Sequence, residues 1–269
     1  MRLSSELLIG LDKELDNYNR ELSGKTGCTL REIASHAAGT TERKVREASN
    51  STPVAVVPIT AGKGIIECFG QAVQSIVSYI GFTSFVTHDY DVAGLAEGIN
   101  RGAKIIFLAD DNCFIAINLS SGLVVDNTEA TGRGYVAALE CLAGELRARR
   151  VLVIGAGRVG RSAVGALKRL GANIAVFDID RAKVEILVKE YEVIKEEKLA
   201  DALPRYTILL DASPAAEIIQ AEHIRPDTVI AACGIPLGLS NEAYSMVRER
   251  LVHDPLQIGV ATMLAMAVK

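Results

Sequence analysis

Apolar residues at Leu3, Leu7, Leu8, Leu11, Leu15 and Leu22 recur at helical spacing, so an amphipathic helix is expected over 3–22, with Ser4 or Ser5 as its start signal. A second, shorter helix is expected over 29–38, and the polar stretch 39–53 reads as a loop with a helical turn. At Val54 the pattern changes. VAVVPI (54–59), residues 82–88 and KIIFLA (104–109) read as buried strands, with helices over 65–79 and 93–101 between them. FIAIN (114–118) and LVV (123–125) flank Ser120-Ser121-Gly122 and predict a hairpin at a sheet edge. An Ala- and Leu-rich helix over 134–149 leads into the second half. There strands are expected at 151–154, 173–178, about 192–194, 207–211, 228–231 and 251–253, with helices between them. The last helix, 256–268, is too apolar to lie alone on a surface, and is expected to pack on the linker helix or the first domain.

One stretch carries more than periodicity. VLVIGAGRVG (151–160) is an apolar strand running into Gly155, Gly157 and Gly160 at G-x-G-x-x-G spacing, followed by helical periodicity to Leu170. In that context the first glycine permits the turn, the second lets backbone approach a pyrophosphate, and the third lets helix pack on strand. The phosphates then sit on the positive end of the helix. The next apolar run, NIAVF, ends on Asp178, placed to accept hydrogen bonds from a ribose hydroxyl and to repel a 2′-phosphate. NAD is therefore expected over NADP, with Arg181 softening that preference; the alternative is an ordinary βαβ turn whose glycines are only steric. Cofactor contacts are expected from Gly155, Gly157, Arg158, Val159, Gly160, Asp178, Ile179, Ser213, Pro214, Cys233 and Gly234.

Strands alternating with helices imply parallel sheets, so the fold class is α/β with two domains and a cleft between them. Residues 1–149 are expected to form N-terminal helices, an α/β substrate domain and the linker helix. A Rossmann NAD-binding domain is expected over 150–255, and 256–269 should pack back on the first part.

Composition narrows the partners. Of 269 residues, 49% are hydrophobic and 23% charged, with a net charge of −4 and scattered Lys and Arg, so neither nucleic acid nor an anionic membrane is expected as partner. The charged N-terminus is neither a signal peptide nor a span. Cys28, Cys68, Cys113, Cys141 and Cys233 are odd in number and far apart, so reduced thiols of a cytoplasmic protein are expected, with no zinc or disulfide framework. A homodimer is expected on the frequency of that state alone. No role falls to the four histidines.

Ligands of open α/β sheets bind beyond the carboxyl ends of the strands. In the first half that edge carries Thr60, Asp89, Asp91, Asp110, Asp111 and Asn112; in the second it carries Asp178, Ser213-Pro214, Cys233-Gly234 and Asp254. Carboxylates facing only Lys63 favour a cationic, amine-bearing small molecule. The competing reading makes each aspartate a turn or cap residue. Thr60 to Gly64 (TAGKG) reads as a substrate-binding turn or a phosphate cradle opening a helix.

The runs VPITAGKGIIECFGQAVQSIVSYIGF, DVAGLAEGINRGAKIIFLADDNCFIAINL, VLVIGAGRVG and HDPLQIGVATMLA resemble the pyrrolysine synthase family, over about 54–264. The segment GAKIIFLADDN is the most specific of them. The resemblance implies NAD-dependent oxidation of the terminal amine of a dipeptide-like substrate, lysine joined through its side-chain amine to 3-methylornithine. An imine forms, ammonia leaves and the ring of pyrrolysine closes. It further implies that Asp110 orients the reacting end as the catalytic residue, with Thr60, Ala61, Gly62 and Asp91 lining the pocket. Asp254 would close the pocket from the other domain, and the first helix would fold over the substrate. The chain departs from the family's pattern at Ala61, Lys63 and Asp254, where that pattern has Ser, Asn and Glu. The rival readings are another two-domain NAD(P)-dependent dehydrogenase, with a shikimate-like, folate-like or amino-acid substrate, and a non-catalytic NAD-sensing module.

Overall fold

The computed structural model describes residues 5–269. The start of the helix expected over 3–22 lies outside them. A 3-10 turn covers Ser5–Leu7 and α1 runs Leu11–Thr26. Then follow α2 (Leu30–Ala38), α3 (Glu42–Ser49), β1 (Val54–Pro58), α4 (Phe69–Tyr79), β2 (Ser84–Val86), α5 (Asp91–Asn100), β3 (Ile105–Ala109), the hairpin β4 (Phe114–Asn118) and β5 (Val124–Asp126), and α6 (Asn127–Ala143). The second half adds β6 (Arg150–Ile154), α7 (Arg158–Arg169), β7 (Asn173–Phe177), α8 (Arg181–Tyr191), β8 (Ile194–Lys195), α9 (Leu199–Ala202), β9 (Ile208–Asp211), β10 (Val229–Ala232), α10 (Asn241–Val247), β11 (Leu251–His253) and α11 (Gln257–Ala267).

Two sheets result. The first has the order β2-β1-β3-β4-β5, parallel through β3 and then antiparallel across the hairpin. The second is wholly parallel with the order β11-β10-β9-β6-β7-β8. That is the doubly wound dinucleotide-fold order, in which the strand sequence reverses direction between β6 and β9. Its core joins Leu152, Ile154, Leu209, Ile230 and the fully buried Tyr206.

The stretch expected as a loop over 39–53 holds a helix, α3. Thr41 caps it by accepting the Lys44 amide, and Glu42–Arg46 and Arg43–Glu47 pair along it. Only Val45 is buried, so there was no apolar stripe to reveal it. Helix α4 starts at Phe69 rather than Ile65, because Cys68 takes a left-handed φ of 65°. Helix α6 starts at Asn127, seven residues before the expected 134, and its leading amides at Thr128 and Glu129 are held by Asp126. The added turn includes Gly132. A Cβ on Gly132 would lie 2.7 Å from the Val159 carbonyl oxygen, so that glycine permits a close approach to α7.

The chain divides into two compact units. One comprises 5–21, 29–130 and 255–269; the other 22–28 and 131–254. The main change of unit falls inside α6, not at Arg149, since α6 from Thr131 onward packs in the dinucleotide-fold unit. All of α11 is buried; it packs on α2, α4, β4 and β5, and Asn118 Nδ2 donates to the Ala267 carbonyl at 2.8 Å.

One expectation about cysteine is corrected. Cys28 and Cys141, 113 positions apart, form a disulfide with their Cα atoms 6.4 Å apart, while Cys68, Cys113 and Cys233 remain thiols. Spacing arguments see only local pairs, and this one is made by the approach of α6 to the segment after α1. No helix among the described residues is long and apolar enough to cross a membrane.

Candidate functional site

In the dinucleotide-fold unit, the glycine turn sits at the middle of the carboxyl edge, between β6 and α7. Gly155 has φ 99°, and a Cβ there would lie 2.9 Å from the Ala212 carbonyl. A Cβ on Gly160 would collide with the Gly155 carbonyl oxygen, whereas one on Gly157 would meet nothing within 4 Å. The first and third glycines are thus required by the protein's own packing, and the second faces open space. No side chain caps α7 at Gly157, which leaves its positive end the electrostatics of an anion site. These residues fit a pyrophosphate-bearing dinucleotide.

Asp178 stands at the end of β7. Its Oδ2 accepts the Ala156 amide of the glycine turn at 2.6 Å, and its Oδ1 accepts the Asp180 amide at 2.8 Å. The half-buried carboxylate therefore pins the turn. Ile179 is 92% exposed beside it, Arg158 is exposed and Val159 half-buried.

On the other side of the turn Asp211 is fully buried. The Ser213 amide donates to Asp211 Oδ1 at 3.0 Å, and the Cys233 amide to the Asp211 carbonyl at 2.9 Å. Burial pushes the Asp211 carboxyl up to about 6 and drives the Cys233 thiol far above its usual range. Pro214 is exposed, Gly234 buried, and the Ile235-Pro236 bond is cis. Asp254 is 5% exposed, and its backbone is clamped from both sides by one phenol. The Tyr135 hydroxyl donates to the Asp254 carbonyl at 2.7 Å and accepts the Asp254 amide at 3.0 Å. Burial raises the Tyr135 pKa well above the usual phenol value, with the Asp254 charge adding to it.

In the other unit the edge beyond β1, β2 and β3 is exposed and acidic. Asp91 opens α5 at φ 53°; its Oδ1 accepts the Thr60 amide at 2.8 Å and its Oδ2 the Thr60 hydroxyl. Those two bonds, the hydroxyl first, hold the Asp91 carboxyl below its ordinary value. Asp110 Oδ1 accepts the amides of Asn112 at 2.7 Å and Cys113 at 2.8 Å, closing the turn into β4. Asp111 Oδ2 accepts the Lys63 amide at 2.6 Å and lies where a Cβ on Gly62 would be. Ala61 is exposed. The stretch 60–64 does not open a helix, and two of its amides, at Thr60 and Lys63, already face carboxylates. A phosphate cradle there is therefore excluded on charge and geometry.

Three residues escaped the sequence reading. Glu97 accepts the amides of His88 at 2.7 Å and Asp89 at 3.0 Å and pairs with Arg101, and its pKa falls to about 2, chiefly through the Asp89 amide. Nothing in its helical position signals this. Tyr135 lies within a helix with no distinguishing pattern. Asp211 did carry a signal, an acid closing an apolar strand, the one that singled out Asp110.

Residues 8–125 match the family described as Pyrrolysine biosynthesis protein PylD, N-terminal domain, and 129–254 match Alanine dehydrogenase/PNT, C-terminal domain. The chain is 32% identical over 265 residues to a protein named pyrrolysine synthase from Methanosarcina acetivorans, covering 94% of this chain and 96% of that one. A second, from Methanosarcina barkeri, is 32% identical over 265 residues, covering 97% and 96%. Among solved structures, the bifunctional methylenetetrahydrofolate dehydrogenase/cyclohydrolase FolD of Campylobacter jejuni aligns at TM-score 0.57 and 14% identity, over 92% of this chain and 96% of that one. Quinate dehydrogenase of Corynebacterium glutamicum in complex with NAD aligns at 0.54 and 12%, over 81% and 94%. Shikimate dehydrogenase of Aquifex aeolicus aligns at 0.54 and 16%, over 78% and 88%. These likenesses show the fold alone.

Proposed function

Because this chain belongs to the pyrrolysine synthase family, we propose that it oxidises the terminal amine of L-lysine-Nε-3-methyl-D-ornithine with NAD, giving an imine that releases ammonia and cyclises to L-pyrrolysine. The observation that carries the dinucleotide half is the glycine turn, with open space at Gly157 and Asp178 beside it. When bound, NAD supplies the hydride acceptor.

Gly155, Gly157 and Gly160, with the leading amides of α7 at Arg158 and Val159, would hold the pyrophosphate. Asp178 keeps acceptor capacity beyond its two amide bonds for a ribose hydroxyl, and its charge opposes a 2′-phosphate, which favours NAD over NADP. Ile179, exposed beside it, offers an apolar face to the adenine. Ser213, Pro214, Cys233 and Gly234 would face the nicotinamide side.

Toward the substrate, Asp110 is the residue we assign to orienting the amine. One of its oxygens closes the turn, and the other is left for a cationic group. Thr60, Ala61, Gly62 and Asp91 form the adjoining loop pair, locked by the Thr60–Asp91 bonds, so the acidic loops are in place before substrate arrives. Asp254, which the family resemblance assigns to the substrate, has its backbone held by Tyr135. A homodimer in solution completes the reading.

Mixing the protein with NAD and the lysyl-methylornithine dipeptide tests this directly. NADH absorbance should rise and pyrrolysine appear by mass spectrometry; turnover of a different substrate with none of this one would remove the substrate assignment. Asp178→Ala should weaken NAD binding about tenfold or more, by loss of a charge-assisted bond, and narrow the preference over NADP. Unchanged NAD affinity in calorimetry would remove the ribose role.

A further inference from the structure

β9 ends on Asp211, whose side chain is 0% exposed at the carboxyl edge, beside the glycine turn. Its carboxyl oxygens have different surroundings. Oδ1 accepts the Ser213 amide at 3.0 Å. Oδ2 is buried and meets no hydrogen-bond partner among the described residues. It lies where a Cβ on Gly238 would be, with Ile218 and the Ala215 carbonyl around the same point. The main-chain carbonyl of Asp211 accepts two more amides, Cys233 at 2.9 Å and Gly234 at 3.3 Å.

One residue therefore ties together two turns that are distant in sequence. The turn 213–214 hangs from its side chain and the turn 233–234 from its backbone. These turns also touch each other, since a Cβ on Gly234 would collide with the Ser213 carbonyl oxygen. The first of them backs the glycine turn, with the Ser213 amide 3.1 Å from where a Gly155 Cβ would sit. A buried carboxyl with an orphan oxygen is a costly way to fill space, and an apolar side chain would fill it with less strain on stability. What an apolar side chain cannot do is accept the Ser213 amide and fix the angle of that turn.

We infer that Asp211 is a positioning residue for the nicotinamide half of the dinucleotide, holding the Ser213-Pro214 and Cys233-Gly234 turns in the geometry that half requires. The inference rests on the dinucleotide reading given above. It differs from that reading in assigning the two halves of the nucleotide to separate machinery: the adenosine half to Gly157 and Asp178, the nicotinamide half to turns organised by Asp211.

The test is a split between ligands. Calorimetric affinities for NAD and for AMP are measured on the wild-type chain and on Asp211→Ala, Asp211→Asn and Gly238→Ala. Asp211→Ala should lose about tenfold or more in NAD affinity through the freed turn, while AMP affinity stays within about twofold. Asp211→Asn keeps an acceptor for the Ser213 amide and should restore NAD binding to within about threefold. Gly238→Ala pushes on Oδ2 from the opposite side and should reproduce the split, which keeps the inference testable if Asp211→Ala fails to fold. Equal losses for NAD and AMP would reduce Asp211 to a stability residue and overturn the assignment. So would variants that bind NAD as the wild type does. A wild-type chain that binds neither nucleotide overturns the dinucleotide reading itself, a result that no variant outcome imitates.

Discussion

The two sheet edges solve the same problem with opposite materials. At the dinucleotide-fold edge, geometry is enforced by sterics: Gly155 and Gly160 are where backbone meets backbone. At the acidic edge, geometry is enforced by exposed or half-buried carboxylates, with Asp91, Asp110, Asp111 and Glu97 each accepting loop amides. A glycine motif can therefore be read as structure and site at once, because the same absence of a side chain serves both. A carboxylate row cannot. Most of its acceptor capacity is spent on turns, and only the remainder is open to a substrate.

The largest effect that would break this contrast is on turnover. Asp110→Asn keeps the acceptor that closes the turn into β4, so folding should be unchanged while kcat falls by about 100-fold through misplacement of the amine. A variant with wild-type kcat would make Asp110 a turn residue and nothing more. Gly160→Ala should act on the fold instead. Its Cβ collides with the Gly155 carbonyl, and denaturant unfolding should show a loss of roughly 3 kcal/mol together with loss of NAD binding. Wild-type stability there would mean that the edge is not sterically determined.

Tyr135→Phe removes both buried hydrogen bonds to the Asp254 backbone, and should cost about 1–3 kcal/mol in urea unfolding. An unchanged midpoint would show that the clamp contributes nothing. The smallest effects are those of pH, and they run in opposite senses at the two edges. Asp211 is raised to about 6, so the stability it allows is complete below the ordinary carboxylate range and is lost as pH rises through about 6. Asp211→Asn should flatten that loss. Glu97 is lowered to about 2, so its contribution is complete above the ordinary range and is lost as pH falls toward 2. Thermal melting of Glu97→Gln against wild type should converge in acid and diverge near neutrality. Parallel pH profiles for the two variants would erase the distinction.

The elements from β6 to β7 were legible because every signal agreed: an apolar run, the glycine spacing, a helical period, and an acid at the next strand end. Helix α3 was not, because one buried residue, Val45, leaves no stripe to detect. The start of α6 was misread for a related reason. Gly132 weakens a helix in isolation, and only its approach to α7 makes a side chain there intolerable. At the acidic edge the aspartates were found, but their division of labour was not. Asp110 and Asp111 are adjacent in sequence, and one closes its own turn while the other reaches back to the amide of Lys63.

By itself, then, the sequence determined the α/β class, the two alternations of strand and helix, the glycine turn and the acid at its flank. All of these rest on spacings of a few residues, which local sterics and periodic burial impose wherever the chain goes. The tertiary structure alone decided the Cys28–Cys141 disulfide, the Tyr135 clamp on Asp254, the change of unit inside α6 and the orphan oxygen of Asp211. Each depends on which distant segments meet. Burial and hydrogen bonding are properties of that meeting, and no residue carries them alone.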